Sequence, residues 1–438
     1  MLLDATYICG GPLLYRAPRG TTDILPEDQR YWTYVHYVAR NVVNKYGYKR
    51  VDTPIFEQTD LFTRGVGEVT DIVEKEMYSF LDRGGDSITL RPEGTASVCR
   101  AYLEHGMHNL PQPVRLFYTS PTFRYERPQA GRFRQHHQFG VEALGEADSY
   151  IDTEIIDMAW KFMGELGLEN LRLLVNNIGD GECRPKYLDS LKAYYSDQLS
   201  ILCKDCNQRI TRNPLRLLDC KQEICSQISA KAPRSVDFLC LDCKYHWDTL
   251  IEYLDRIKLP YSIEHRLVRG LDYYTGPIFE VNLNFEVKNS KGQAIQFGSI
   301  GGGGRYDNLV SNFGNFDCPA TGISVGLDRL VFALMQKKDF KIKAVRPVII
   351  CVFDKSRMKE YIEILNKLRI SNIGSEIYPG EGKLKKQMEY ANKISSPAAI
   401  LYGDNEIKIG KVTLKNLKSG KETSVAIESL SDEIKKII

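Results

Sequence analysis

The 438-residue sequence predicts an α+β protein of two or three domains, and three stretches carry this prediction. Segments 115–120 and 135–143 read as strands on either side of a polar loop, a pattern typical of an antiparallel hairpin. Residues 184–258 are helical in pattern and rich in cysteine. After residue 346, short apolar runs alternate with helical stretches, which indicates a small parallel α/β module. The chain is also too long for one ordinary core.

The first predicted element is a long amphipathic helix that begins at Pro26. Proline suits the first helical turn, and the two acidic residues that follow it suit the helix dipole. Apolar residues then recur every three to four positions until Gly47 ends the pattern. The next segment, YKRVDTPIFEQ, alternates like a strand, and Pro54 predicts that this strand lies at a sheet edge. A simple surface edge is the default interpretation, and a dimer surface is the alternative.

A second informative helix follows the strand in TGISVGLDRL. Gly326 breaks the strand, and Leu327, Leu330 and Leu334 then share one apolar stripe. Arg329 lies off this stripe, in the first turn. The sequence therefore predicts a buried helix that presents an arginine at its start.

Composition argues against membrane insertion and export. No uninterrupted apolar run reaches the roughly 18 residues that span a bilayer. Residues 1–14 contain an early acid and no basic region, so we expect a loose tail and a cytoplasmic protein. The net charge of +3 is uneven, because residues 341–438 contain 19 basic and 12 acidic residues. A polyanion partner and a solvated lysine-rich surface explain this surplus about equally well.

The stretch LVRGLDYYTGPIFE is the most informative in the chain. It places Arg269, a flexible Gly270 and the pair Tyr273 and Tyr274 within six residues. A guanidinium suits a phosphate, and phenols suit a planar ring. The two tyrosines are therefore candidates for holding an amino-acid side chain beside a nucleotide anion.

Two other segments contain candidate polar site residues. On the strand 135–143, Gln138, Gly140 and Glu142 share one face, and the glycine leaves a gap in which a ligand could lie. The alternative is an outward polar face without a ligand. In TLRPEGTAS, Glu93 and Thr95 either project into a cleft or cap the following helix.

Arg124 and Arg329 are candidates for gripping phosphate oxygens, because a guanidinium offers paired N–H donors. Each alone is as well explained by a surface ion pair, but with Arg269 they all fall at predicted strand ends or tight turns. The run Gly301 to Gly304 lacks the ending of a phosphate loop. It predicts backbone that closely approaches a ligand or another strand.

Six of the eleven cysteines crowd into residues 203–243, in the order CKDC, Cys220, Cys225 and CLDC. Without an export signal, such thiols favour a metal site over disulfides. A structural Zn²⁺ bound by four of the six is one reading, and a set of buried or surface thiols is the other. The candidate ligands are Cys203, Cys206, Cys220, Cys225, Cys240 and Cys243.

Together these stretches resemble bacterial-type histidyl-tRNA synthetases from about Arg16 to the C-terminus. The resemblance rests on APRGTTDILPED, on Pro54 in the first class II motif, on FRYERPQAGRFRQHHQFGVEALG, LVRGLDYYTGPIFE and GGGGRYDNLV, and on GISVGLDRLV as the third class II motif. LVRGLDYYT distinguishes this family from other class II synthetases. The double CxxC segment departs from the family's general pattern.

The resemblance implies a class II antiparallel sheet flanked by helices, in a catalytic domain at residues 15–183 and 259–336. It implies an insertion domain at 184–258, a linker at 337–346 and an anticodon-binding α/β domain at 347–438. It also implies a homodimer that activates L-histidine with ATP and Mg²⁺ and then transfers it to the 3′ end of tRNA(His).

The resemblance also implies roles for the residues that would bind histidine. Glu93, Thr95 and Gln138 would hold the α-amino group. Glu142 and the Tyr274 hydroxyl would lie on either side of the imidazole.

Further roles concern the nucleotide and the tRNA. Arg124 and Arg269 would lie at the α-phosphate and Arg329 toward the γ-phosphate, with Mg²⁺ on the pyrophosphate. The acceptor end of the tRNA would be contacted by Arg127, Gln129 and Arg132.

Two other functions compete with this one. A catalytically silent relative regulates ATP phosphoribosyltransferase, but such proteins typically lack the anticodon domain and the substrate arginine, whereas Arg269, Arg329 and residues 345–438 are present here. The other competitor is a non-enzymatic RNA-binding or zinc-organised protein. Histidine-dependent exchange of pyrophosphate into ATP separates both from an enzyme.

Overall fold

A computed structural model describes residues 15–67, 70–126, 131–288, 294–337, 340, 342, 346–380 and 382–438. The chain divides into two compact units, Met1–Lys341 and Ile342–Ile438. The predicted tail at 1–14 lies outside the described residues. Among helices of the described part, none is both long and apolar enough to cross a membrane.

The first unit contains one large sheet, one small sheet and surrounding helices. Its strands are β1 (Lys49–Arg50), β2 (Phe56–Gln58), β3 (Tyr78–Leu81), β4 (Ser87–Leu90), β5 (Val114–Phe123), β6 (Gln135–Leu144), β7 (Leu171–Asn177), β8 (Tyr261–Ile263), β9 (Thr275–Lys288), β10 (Ala294–Arg305) and β11 (Ala320–Gly326). Its helices are α1 (Pro26–Lys45), α2 (Thr59–Val66), α3 (Thr95–Glu104), α4 (Ser149–Glu165), α5 (Arg184–Ser196), α6 (Lys204–Arg212), α7 (Glu223–Ser229), α8 (Leu241–Arg256) and α9 (Leu327–Gln336).

The large sheet has the order β1-β5-β6-β11-β10-β9-β7-β8. All its pairings are antiparallel except the two edge pairs, β1 with β5 and β7 with β8. The hairpin of β5 and β6 confirms the predicted pair, with Phe123 opposite Gln135. Helices α1, α4 and α9 pack beside this sheet, so the predicted antiparallel sheet flanked by helices is confirmed.

Helix α1 follows its predicted pattern closely. It begins at Pro26 and ends two residues before Gly47, whose φ of 77° suits glycine. Trp32, Val35 and Val42 are buried, as the three-to-four spacing requires. The amphipathic face therefore packs on the sheet layer.

The strand predicted around Pro54 is different in the structure. Its two ends form β1 and β2, which belong to different sheets, and Pro54 lies in neither. Proline has no N–H to donate to a strand partner, so the chain leaves the large sheet before this residue. The Arg91 guanidinium fixes the connection by donating to the carbonyls of Thr53 (2.9 Å) and Pro54 (3.1 Å).

Residues 184–256 form helices α5 to α8 with short 3₁₀ turns between them. Their own apolar core is built around buried Tyr187, Leu191 and Tyr195. Helix α8 also packs against α4 of the sheet layer. The segment is therefore helical, as its pattern predicted.

The second unit contains β12 (Val348–Ile350), β13 (Ser375–Ile377), β14 (Ala398–Leu401), β15 (Lys411–Asn416) and β16 (Glu422–Ala426), with helices α10 (Met358–Ile370), α11 (Leu384–Lys393), α12 (Asp404–Ile409) and α13 (Leu430–Lys435). The predicted parallel strands β13-β12-β14 are present. Two antiparallel strands, β15 and β16, extend this sheet, because a short turn through Gly420 reverses the chain.

Candidate active site

A cleft of about 220 Å³ lies on the large sheet, and small residues of β10 and β11 form its floor. Three arginines from distant segments line it. Arg124 directly follows β5, Arg269 lies between β8 and β9, and Arg329 lies in the first turn of α9. The structure therefore brings together the three arginines that the sequence placed at strand ends and turns.

Each arginine is oriented by one fixed contact. The Arg124 Nε donates to the Pro92 carbonyl (2.7 Å), and the Arg269 Nη1 donates to the Glu280 carboxylate (2.8 Å). Arg329 donates to the carbonyl of Phe297. These contacts orient the guanidiniums, and within the described part of the chain the Nε groups of Arg269 and Arg329 have no partner.

The glycines beside the cleft make room for these side chains. A Cβ at Gly302 would lie 2.4 Å from the Arg269 Nη1, and one at Gly303 would lie 1.9 Å from the Gly322 carbonyl oxygen. Both distances are shorter than any non-bonded contact allows. The prediction that Gly301 to Gly304 approach another strand closely is confirmed. Gly302 also leaves space for the Arg269 side chain.

Several polar atoms that face the cleft have no partner among the described residues. They are the Nε of Arg269, the Nε of Arg329, Oε1 of Gln138 and Oγ of Ser324. Unpaired buried donors are costly unless a ligand or water satisfies them. Because most of these groups are donors beside positive charges, the cleft suits an anion.

The electrostatic environment supports the same conclusion. Burial and the nearby Arg132 lower the pKa of Arg329 to about 10, so this guanidinium remains charged at neutral pH. Burial and Arg124 lower the pKa of His136 to about 4, so this imidazole is neutral. The cleft therefore concentrates fixed positive charge, with Glu126 and Asp328 as its carboxylates.

Beside the cleft, Glu142 is almost fully buried, with 1% of its surface exposed. Its Oε1 accepts hydrogen bonds from Thr95 (2.8 Å) and Tyr118 (3.4 Å), and its Oε2 accepts one from Tyr306. Burial raises the pKa of Glu142 to about 8, although the bonds from Tyr306 and Thr95 oppose the shift. Perturbed buried carboxyls of this kind are typical of functional sites.

The gap that the sequence predicted beside Gly140 is filled. The ring of Tyr118 lies there, and a Cβ at Gly140 would be 2.1 Å from its Cζ. Gly94 faces the same ring, and a Cβ at Gly94 would be 2.4 Å from the Tyr118 Cζ. The two glycines therefore accommodate a tyrosine that reaches Glu142, rather than a ligand between Gln138 and Glu142.

Of the two alternatives for Glu93, capping is observed. Its carboxylate accepts from the backbone N–H groups of Thr95 (2.6 Å) and Ala96 (2.9 Å) at the start of α3. The Thr95 hydroxyl points instead to Glu142. Glu93 thus fixes the helix start that presents Thr95.

Tyr273 and Tyr274 are both buried and pack side by side, with ring centroids 4.7 Å apart. Tyr273 also packs against Tyr306 at 5.7 Å, and the Arg269 guanidinium lies 5.9 Å from the Tyr274 ring centre. Burial raises the pKa of both Tyr273 and Tyr274, so their hydroxyls are neutral donors at physiological pH. Tyr274 therefore lies against Arg269 of the cleft, and Tyr273 lies against Tyr306, which donates to Glu142.

Sequence reasoning missed the role of Tyr118 and Tyr306 at Glu142. Tyr118 pairs directly with Gly140 across the hairpin, and an aromatic residue opposite a glycine is a signal that could have identified it. Tyr306 follows the glycine run. Of the predicted acceptor-end residues, Arg132 lines the cleft, whereas Arg127 and Gln129 lie outside the described residues.

A model of the family described as histidyl-tRNA synthetase matches residues 20–179 and 218–330, and one described as an anticodon binding domain matches residues 347–437. The histidine–tRNA ligase of Dehalococcoides mccartyi is 46% identical over 97% of this chain and 100% of its own length. The chain belongs to the histidyl-tRNA synthetase family. The ligase of Halothermothrix orenii is 44% identical over 97% of this chain and 99% of its own.

Solved structures agree with this assignment. The apo histidyl-tRNA synthetase of S. aureus superposes with a TM-score of 0.76 at 33% identity, covering 96% of this chain and 100% of that one. A Bacillus halodurans structure described as an ATP phosphoribosyltransferase regulatory subunit/histidyl-tRNA synthetase has a TM-score of 0.60 at 23% identity, over 87% of this chain and 97% of that one. That second likeness shows the fold alone. The class II synthetase fold of the histidyl-tRNA synthetases is thereby established for this chain.

The histidyl-tRNA synthetase match omits residues 180–217, where part of the cysteine-rich region lies. The structure divides the six predicted cysteine ligands into two places. Four of them meet in one cluster, and the other two approach Cys183 and Asp180 instead. The four are Cys203, Cys206, Cys220 and Cys225; the two are Cys240 and Cys243.

Proposed function

We propose that this chain is a histidine–tRNA ligase, which joins L-histidine to ATP as histidyl-adenylate and then transfers histidine to tRNA(His). The observation that carries the proposal is the cleft itself. Three arginines, two of which have an Nε without a partner among the described residues, lie beside a buried glutamate that tyrosines and a threonine surround. This arrangement joins an anion site to a pocket for a polar ring.

The activation step joins two anions, so fixed positive charge is the main requirement. Arg124 and Arg269 draw the histidine carboxylate to the α-phosphate, and Arg329 binds toward the γ-phosphate. A carboxylate oxygen then bonds to the α-phosphorus while the bond to the pyrophosphate oxygen breaks. No protein nucleophile is needed, because the substrate carboxylate attacks.

Mg²⁺ bound with the ATP would supply positive charge to the leaving pyrophosphate. The cleft fits such an ion, because Glu126 offers a carboxylate at its lining. Mg²⁺ typically binds one or two carboxylates together with substrate phosphates. Glu126 is therefore the residue that would hold it on the protein side.

Histidine recognition follows from the buried groups around Glu142. The Glu142 carboxyl and the Tyr274 hydroxyl would contact the imidazole nitrogens, with Tyr273 packed alongside. Thr95 and Gln138 would bind the α-amino group, and Glu93 supports Thr95 from the helix start. An amino acid without ring nitrogens would not form the hydrogen bonds to Glu142 and Tyr274 and would bind more weakly than histidine.

The tRNA would contact both units of the chain. In the second unit, exposed Lys383, Lys385 and Lys386 lie at the start of α11 and suit a phosphate backbone. This unit would bind the anticodon loop, whose unstacked bases can be read. Arg132, with Arg127 and Gln129, would reach the acceptor end, where the terminal ribose hydroxyl attacks the activated carbonyl.

The proposed ligase has the domain limits given by the sequence, with a catalytic domain at 15–183 and 259–336, an insertion domain at 184–258 and an anticodon-binding domain at 347–438.

We also propose that the protein is a homodimer. The small sheet β2-β4-β3 exposes Phe56, Phe80 and Leu81 to solvent, and Ile55, just before β2, is exposed as well. An apolar patch of this kind is typical of a subunit interface. Sedimentation equilibrium of the full chain measures the mass directly, and a monomer at micromolar concentration would remove this part.

Pyrophosphate exchange tests the proposed activity. Purified chain, ATP, Mg²⁺ and labelled pyrophosphate should yield labelled ATP with histidine and background label with any other amino acid. A regulatory relative or an RNA-binding protein gives no exchange. If an active control enzyme exchanges and this chain does not, the proposal fails.

A structural Zn²⁺ at Cys203, Cys206, Cys220 and Cys225 also belongs to the proposal. The four sulfur atoms lie within 4.8 Å of one another, and those of Cys203 and Cys220 are 3.9 Å apart. A tetrahedral site with Zn–S bonds of about 2.3 Å places its sulfurs roughly 3.8 Å apart. The cluster therefore needs only small adjustments to close on the ion.

Replacing Cys220 with serine is expected to remove this ion and to lower the melting temperature by roughly 10 °C, because metal binding contributes directly to folding. Differential scanning calorimetry and elemental analysis measure the two effects. Cys351→Ala is the matched control, since Cys351 belongs to the core of the second unit and to neither cysteine cluster. Equal zinc contents in the two variants would contradict the assignment.

A further inference from the structure

A second cluster of metal-ligating side chains lies where the helical segment 184–256 leaves and rejoins the sheet layer. It consists of Asp180 and Cys183, between β7 and α5, and of Cys240 and Cys243, at the start of α8. One ligand atom from each lies within 4.8 Å of every other. The four side chains thus converge from the two ends of one inserted segment.

The Asp180 carboxylate is oriented by the backbone around it. Its Oδ1 accepts hydrogen bonds from the N–H groups of Glu182 (2.9 Å) and Cys183 (3.0 Å). Its Oδ2 faces the Cys240 sulfur at 3.9 Å. One oxygen is therefore held by the loop, and the other is directed at the thiols as a single ligand atom.

Backbone groups also hold the thiols. The Cys243 N–H points to the Cys240 sulfur at 3.5 Å, the contact expected of a CxxC turn at a helix start, and the Asp180 N–H points to the Cys183 sulfur at 3.4 Å. Gly179 has a φ of 68°, and a Cβ there would lie 2.7 Å from the Cys183 sulfur. The loop is therefore shaped to bring Cys183 inward.

The donor set decides which metal fits. Three thiols and one carboxylate oxygen make four ligands, and thiolates favour Zn²⁺ over Mg²⁺ or Ca²⁺, which prefer oxygen. The 3.9 Å between Asp180 and Cys240 is close to the ligand separation of roughly 3.6 Å in a tetrahedral zinc site with one oxygen. Four protein ligands leave no open position, which is typical of a structural site.

We propose that Asp180, Cys183, Cys240 and Cys243 bind a second structural Zn²⁺, separate from the four-cysteine cluster. The chain then holds two zinc ions. One organises the interior of the helical segment, and the other joins the two ends of that segment at the sheet layer.

The second site also has a direct link to the sheet layer. Arg184 follows Cys183, and its Nη2 donates to the carbonyls of Gly179 (2.7 Å) and Tyr274 (2.7 Å). The charge of this guanidinium also offsets the excess negative charge of three thiolates and a carboxylate around Zn²⁺. The ion thereby fixes the loop from which Arg184 holds the backbone of Tyr274.

The matched part of the histidyl-tRNA synthetase family model does not contain all four residues of this site. The family match ends at residue 179 and resumes at 218, so Asp180 and Cys183 lie in the unmatched part and Cys240 and Cys243 in the matched part. Each of the two clusters takes two ligands from the unmatched segment. The family model therefore covers only two of the four residues of each cluster.

Zinc content of the full-length protein, purified without chelators, tests the proposal. Elemental analysis should give two zinc ions per chain in the wild type and one in Cys240→Ser/Cys243→Ser. The double variant Cys203→Ser/Cys206→Ser should also retain one. Cys318→Ala, a buried cysteine outside both clusters, should retain two. A single wild-type zinc that survives loss of Cys240 and Cys243 overturns the second site.

A wild-type measurement decides the question even if these variants fail to fold. Anomalous diffraction across the zinc edge should show two peaks per chain, one of them within bonding distance of the Asp180 Oδ2. The zinc absorption spectrum should give an average of about 3.5 sulfur ligands per ion. One peak, at the four-cysteine cluster alone, refutes the proposal. Neither readout depends on ligase activity, so its outcome is independent of the proposed function.

Discussion

Arg269→Ala is expected to lower histidine-dependent pyrophosphate exchange by about a thousandfold, because it removes the guanidinium that joins two anions at the α-phosphate. Loss of one preorganised group that stabilises developing charge typically reduces a rate by about 10²–10³, and loss of an arginine acting on phosphate by about 10³–10⁵. The loss should appear in kcat as well as in kcat/KM. Steady-state exchange at varied ATP and histidine concentrations measures both.

The variant also leaves the Glu280 carboxylate without its partner at 2.8 Å. We therefore expect a modest loss of stability, and the double variant Arg269→Ala/Glu280→Gln should restore stability without restoring exchange. Arg266→Ala is the matched control, because Arg266 is three residues away and pairs with Glu264 instead. Near-normal exchange by a folded Arg269→Ala protein would contradict the assigned role.

Local signals in the sequence predicted much of the fold. The hairpin of β5 and β6 follows from period-two alternation around a polar loop, and α1 and α9 follow from helical periodicity with a proline or glycine at the boundary. These patterns depend on neighbours a few residues apart. The Pro54 segment was less predictable. Its two ends join different sheets because β1 pairs with β5 and β2 pairs with β4, and these strands are distant in the sequence.

The sequence identified the three arginines as candidate phosphate-binding residues, but it did not show that they line one cleft. Their positions at turns indicated function, whereas their meeting in one cleft depends on contacts between segments that are 60 to 205 positions apart. Tyr118 is a part of the site that the sequence did not predict. Its ring fills a gap that the strand pattern alone left open to a ligand. A face predicted from periodicity does not reveal which side chain of a neighbouring strand lies across it.

The cysteines show the same limit. Spacing identified two CxxC pairs, and the expectation was one ion with four ligands chosen from six thiols. In the structure the pairs belong to different clusters, and the second includes an aspartate and a cysteine that precede the predicted set. Sequence spacing gives pairs of ligands, but the path of the intervening helices decides which pairs meet.

Glu142→Gln is expected to lower kcat/KM for histidine by about a hundredfold, because an amide replaces the carboxyl that binds the imidazole. Leaving a buried hydrogen-bonding group without its partner costs about 1–3 kcal/mol, which corresponds to roughly 5–150-fold. The amide keeps the size of the side chain, so the tyrosines and Thr95 around it should remain packed. Pyrophosphate exchange at subsaturating histidine measures the loss.

The same substitution should change how stability depends on pH. Burial raises the pKa of Glu142 from 4.5 to about 8, so between these values the folded chain holds a proton that the unfolded chain has released. Stability from this group is complete below about pH 4.5 and falls by roughly 1.4 kcal/mol per pH unit as the pH rises toward 8. Glu142→Gln removes this slope, so its stability relative to the wild type should rise across that window.

Urea unfolding at several pH values between 5 and 8 measures this relative stability. Glu146→Gln is the matched control, because Glu146 is only partly buried and a hydrogen bond from the Asp148 backbone lowers its pKa. Both its folded and unfolded states are ionised above pH 5, so it should add no slope. A flat difference between wild type and Glu142→Gln would mean that Glu142 titrates as an ordinary carboxyl. That result would contradict the raised pKa, and it would mean that the hydrogen bonds to Glu142 offset its burial.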